Sequence, residues 1–89
     1  MKEAYLEFTY RRGRALAAYL YLPGRPGRKS YRTRAVEPGL LVDYSRSGKP
    51  IGIEITAPAK LSVAKLNRLL RQLGQPELKR GHLAPLRAA

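Results

Sequence analysis

Apolar and polar residues alternate along the first two thirds of this 89-residue chain, and then the period changes. In AYLEFTY, residues 4–10, Leu6, Phe8 and Tyr10 alternate with Tyr5, Glu7 and Thr9, the period of two that marks a half-buried strand. Arg11-Arg12-Gly13 turns the chain into a second strand, Arg14 to Leu22. There Leu16, Ala18, Leu20 and Leu22 share one side, and Ala17, Tyr19 and Tyr21 share the other. Apolar character on both sides implies an interior place in a sheet or a covered outer face. PGRPGRKS, residues 23–30, holds two prolines and two glycines and reads as a loop. YRTRAVE, residues 31–37, is a third strand with Tyr31, Thr33 and Ala35 opposite Arg32, Arg34 and Val36, closed by a Pro38-Gly39 turn.

The most regular stretch is LLVDYSRSGKPIGIEI, residues 40–55. Pairing Tyr44 with Ile51 sets Val42 beside Ile53 and Leu40 beside Ile55, so that these six share one face. Leu41, Asp43, Gly52 and Glu54 share the other. A one-residue slip sets aliphatic residues against polar ones, so the pattern fixes the register. Arg46-Ser47-Gly48-Lys49 forms the connecting loop, and Pro50, which has no donor, belongs beside the turn.

After Ala57-Pro58-Ala59 the period becomes helical. Ser62 is a suitable N-cap, flanked by Leu61 and Leu66 at staple positions. Val63, Leu66, Leu69, Leu70 and Leu73 form one apolar stripe, and Lys65, Arg68 and Arg71 point away from it. Gly74 suits the position after the helix, and Pro76 the first turn of a short second helical segment docked by Leu78, Leu83 and Leu86. The expected fold is α+β: an antiparallel meander of about five strands, one amphipathic helix and a short C-terminal tail. It occupies one domain, 1–89, with the sheet over 4–57, the helix over 62–73 and a helical or extended tail over 76–89. The helix stripe should cover one sheet face, and the two apolar sides of the second strand make a homodimer an expectation.

Composition turns attention to partners. Eighteen Lys and Arg against six Asp and Glu give a net charge of +12, while a hydrophobic content of 44% supports a small core. There is no cysteine, so disulfides and thiolate metal sites are excluded, and a reducing cytoplasm fits. No apolar run reaches a membrane span, and Met1-Lys2-Glu3 opens no apolar signal segment. From Arg11 to Arg34 the chain holds Arg11, Arg12, Arg14, Arg25, Arg28, Lys29, Arg32 and Arg34 without one acid. Arginine forks suit phosphate oxygens and release counterions, and Tyr31 is placed to stack on an unpaired base. Tyr19 is instead expected to pack under the helix or in an oligomer interface.

Asp43 and Glu54 lie on one hairpin face in adjacent rows, a pairing that acid–base work or a divalent ion can use. No histidine, further carboxylate or phosphate-cradling glycine loop accompanies them, so they are expected to face solvent or neutralise arginines. His82 stands alone in the tail. No catalytic residue, cofactor or metal is expected.

The pieces Ala18-Tyr19-Leu20, Arg32-Thr33, Val42-Asp43-Tyr44, Gly48 and Gly52-Ile53-Glu54-Ile55 resemble the bacterial family catalogued as domain of unknown function 2283. The resemblance spans roughly residues 4–59. It implies the hairpin fold and, because some members are thought to be encoded beside small RNase-like toxins, an antitoxin-type role. This chain departs from the family where the first turn, usually acidic, reads Arg11-Arg12-Gly13-Arg14. The expectation is a non-enzymatic nucleic-acid-binding protein whose site is Arg11, Arg12, Arg14, Arg25, Arg28, Lys29, Tyr31, Arg32 and Arg34. The alternative is an antitoxin-type module that neutralises or co-binds a small nuclease.

Overall fold

The computed structural model describes residues 3–24 and 29–78. Five strands form one antiparallel sheet: β1 (Tyr5–Arg11), β2 (Arg14–Tyr21), β3 (Arg32–Glu37), β4 (Leu40–Tyr44) and β5 (Pro50–Ile55). A 3-10 turn, Pro58–Lys60, and one helix, α1 (Val63–Gln72), follow. The architecture is α+β, with the strands where the alternation sets them. Among the described residues no helix is long and apolar enough to cross a membrane.

The order across the sheet is β1-β2-β5-β4-β3. It is not one continuous meander, because β2, paired with β1 on one edge, takes β5 and not β3 on its other edge, through Ala18↔Ile55, Leu20↔Ile53 and Tyr21↔Gly52. The reason lies in side-chain character. β2, β5 and β4, which carry the aliphatic rows of the core, take the interior places, whereas β3, with Arg32, Arg34 and Glu37, tolerates the solvated edge. The 22–31 connection therefore carries the chain across to the far edge.

One sheet face holds the core. Leu20, Val42, Ile53 and Leu66 are fully buried, and Ala18, Leu22, Leu40, Ile55, Leu69 and Leu70 nearly so. The stripe of α1 covers this face, as its spacing requires. Ser62 caps the helix by accepting from the Lys65 N–H (3.4 Å). At the other end Gly74 N–H donates to the Arg71 carbonyl (3.0 Å) and Gln75 N–H to that of Leu70 (2.8 Å), the two bonds of a Schellman motif. No second helical segment begins at Pro76: residues 75–78 are irregular. Leu78 still docks into the core, its N–H donating to Asn67 Oδ1 (2.9 Å), and that bond holds it without a helix. Leu83, Leu86 and His82 lie outside the described residues.

Register shifts interrupt the simple alternation in three hairpins: between Ala35 and Glu37 in β3, in the β4–β5 pair and in the β1–β2 pair. Leu40↔Ile55 and Val42↔Ile53 pair as expected, but Tyr44 faces Pro50 and not Ile51. Gly48 takes the left-handed conformation (φ 86°) that ends a three-residue loop, which sets Ser45 against Lys49. The count then leaves Ile51 as the extra residue, although it remains buried. In the first hairpin the register shifts between Thr9 and Tyr10, opposite Ala17 and Ala15. Tyr10 and Leu16, expected on the core side, are exposed there, because the ribbon has by then passed the end of β5.

Candidate nucleic-acid interface

The β1–β2 ribbon is the first element to consider, since it carries the densest positive charge. Beyond Ala18, β2 has β1 as its one strand partner among the described residues, down to Arg11↔Arg14. Arg12 (φ 52°) and Gly13 (φ 76°) are both left-handed, the type I′ geometry whose twist matches a two-residue hairpin. Arginine has no short side chain to support that conformation, so Arg12 stands there at a cost of roughly 1 kcal/mol. Arg11, Arg12, Arg14 and Leu16 line an open concavity of about 460 Å³. Among the described residues the ion pair is Arg71 with Glu77, and the three ribbon arginines have no carboxylate partner.

Lys29, Tyr31, Arg32 and Arg34 sit elsewhere. The pairings Arg32↔Tyr44 and Arg34↔Val42 place these two arginines on the β3 edge, level with the far end of β2, with Lys29 and Tyr31 just before them in the chain. A strand rises about 3.3 Å per residue, so the two groups are separated by roughly 20 Å along β2. The run contiguous in sequence is thus divided into two clusters. Arg25 and Arg28 lie outside the described residues. Tyr31 is 68% exposed and anchored by its N–H to the Tyr44 carbonyl (2.8 Å). The Arg46 guanidinium lies over its ring at 5.8 Å, and that of Arg32 over Tyr44 at 5.4 Å. Arg46 and Lys49 join this second cluster through the β4–β5 turn; in sequence they read as loop residues, and the cross-strand position of Tyr31 was the missing signal.

The opposite, helix-free face of the sheet has another character. Register sets Glu7, Tyr19, Glu54, Leu41 and Ala35 in one row across five strands, and Tyr5, Tyr21, Gly52, Asp43 and Thr33 in the next. Tyr19 therefore does not lie under the helix. It leans diagonally over Gly52, and its hydroxyl donates to Asp43 Oδ2 (2.7 Å). The Thr33 hydroxyl donates to the other Asp43 oxygen. Burial, then the bond to Asp43 and its charge, push the Tyr19 phenol well above its ordinary pKa. The Tyr21 hydroxyl donates to Glu7 (3.3 Å) and its own pKa is raised, by burial first and then by Glu7. Tyr5 and Tyr21 stack with centroids 4.6 Å apart, and Tyr19 tilts against Tyr21 at 4.7 Å.

Asp43 thus serves hydroxyl groups and not arginines, and Glu54 remains exposed in the adjacent row. Among the described residues no three His, Asp or Glu side chains gather as a metal site. Residues 17–57 match the model of a family described as a protein of unknown function, DUF2283. That span contains Tyr19, Thr33, Asp43 and Gly52, the residues of the hydroxyl–carboxylate network, but neither β1 nor the ribbon turn. No curated protein and no solved structure matches the chain.

Proposed function

We propose that this chain, whose residues 17–57 match the model of the DUF2283 family of unknown function, is a non-enzymatic nucleic-acid-binding protein that grips phosphate with its β1–β2 ribbon. One observation carries the reading. Three arginines with no carboxylate partner among the described residues crown a two-stranded arm that extends past β5. Such a ribbon has the width that a major groove of about 12 Å admits, and guanidinium forks bind phosphate oxygens in pairs. The second cluster, Lys29, Arg32, Arg34 and Arg46, adds a contact roughly 20 Å along the strands and about 14 Å across the sheet from the ribbon tip, about 25 Å in all. Tyr31 offers a ring for an unpaired base beside that cluster. Phosphate contacts of this kind position a protein without specifying sequence.

The test is fluorescence anisotropy with single- and double-stranded DNA and RNA of mixed sequence. The protein is compared with a variant carrying Arg11→Gln, Arg12→Asn and Arg14→Gln. Asn-Gly is the favoured type I′ pair, so this variant loses charge while keeping the turn. Binding that weakens strongly in the variant, equally across sequences, supports the reading. Failure of every nucleic acid to bind at micromolar protein in low salt refutes it.

A further inference from the structure

The two rows on the helix-free face leave a pattern that phosphate binding does not use. Their ten positions hold three carboxylates, three tyrosines and no lysine or arginine, in a chain with eighteen of those. Half of the six acids, Glu7, Asp43 and Glu54, are therefore gathered on one surface of a protein of net charge +12. We infer that this face is a docking surface for arginine side chains presented by a protein partner.

Geometry and charge select that occupant. In one row Glu7 and Glu54 flank Tyr19 on the neighbouring strands, about 5 Å to either side in the backbone. Tyr19 and Tyr21 form a floor between them, continued by the stacked ring of Tyr5. Guanidinium is planar: it stacks on a phenol ring while its fork reaches a carboxylate, and it is less strongly hydrated than ammonium. The floor is held in advance, because Tyr19 is fixed by Asp43 and rests on Gly52, so little freedom is lost on binding. Other occupants fit less well. Nucleic acid and anionic lipid bring phosphate toward three carboxylates. A second copy docked by the same face sets Glu7, Asp43 and Glu54 against their own counterparts, since a two-fold interface pairs a patch with itself. The surface is independent of the arginine ribbon, so this inference stands or falls apart from the proposed nucleic-acid binding.

The experiment uses a fluorescein-labelled hexapeptide of alternating Arg and Gly at about 0.15 M salt, where a screening length of about 8 Å quiets the distant ribbon. Binding is read by anisotropy and located by amide chemical shifts of the full chain. The expected result is perturbation at Glu7, Tyr19, Tyr21 and Glu54. Glu7→Gln with Glu54→Gln, both exposed and without a core role, is expected to weaken binding about tenfold, while the ribbon variant binds as before. A Lys–Gly peptide should bind more weakly than the Arg–Gly one. Absence of peptide binding, shifts confined to another surface, or affinity indifferent to the double substitution overturns the inference. So does a single-stranded oligonucleotide that shifts this face, or self-association that the double substitution strengthens.

Discussion

A methyl group added at Gly52 falls inside the Tyr19 ring and hydroxyl, which occupy the space above that backbone. Gly52→Ala therefore pushes Tyr19 off Asp43 and forfeits a hydrogen bond to a charged group, at a cost of about 1.5–3 kcal/mol. In a Tyr19→Ala background the same substitution meets no ring, and its cost should shrink to a small remainder. Denaturant unfolding of the four proteins reads this as a coupling; additive losses contradict the contact. The phenol also makes a pH prediction. Its folded pKa lies above the unfolded value of about 10, so the stabilisation is complete below that pH and is lost as pH rises toward the folded pKa. Stability should fall as pH rises above about 10, and Tyr19→Phe should flatten part of the fall. An identical decline in Tyr19→Phe counts against the assignment. Little of this was legible in sequence. The face shared by Asp43, Gly52 and Glu54 follows from the hairpin alternation, but the diagonal reach of Tyr19 depends on β2 lying beside β5, thirty residues away.

At the scale of elements, alternation and capping carry most of the fold. The aliphatic pairs Leu40↔Ile55 and Val42↔Ile53 stand where the pattern of β4 and β5 requires, under the stripe of α1. Ile53 is fully buried between them, so Ile53→Ala should destabilise by about 2–5 kcal/mol in urea unfolding. The bulge that sets Tyr44 against Pro50 was hidden because it depends on the handedness of the loop, not on which residues are apolar. The same limit applies to the first turn, where Arg12 adopts a conformation better suited to asparagine. Arg12→Asn alone should raise stability by roughly 1 kcal/mol, seen as a higher thermal midpoint. A lower midpoint would mean that the Arg12 side chain stabilises the tip in a way its backbone geometry does not reveal.

At the scale of the whole molecule, the sheet separates charges that the sequence intermixes. Reading Arg11 to Arg34 as one basic run joins residues that β2 holds at opposite ends, because contiguity along a strand means distance in space. What replaces it is an arginine-tipped ribbon, a second basic cluster at the β3 edge, and two tyrosine–carboxylate rows whose ten positions hold no lysine or arginine. The central claim, that the ribbon neutralises phosphate, is a claim about counterions, and salt dependence measures it directly. On duplex DNA the logarithm of affinity falls by about 0.9 per logarithmic unit of salt for each phosphate neutralised. Anisotropy titrations at several salt concentrations, on the protein and on Arg11→Gln/Arg12→Asn/Arg14→Gln, should give slopes that differ by about 2 to 3. Equal slopes in the two proteins would contradict the account.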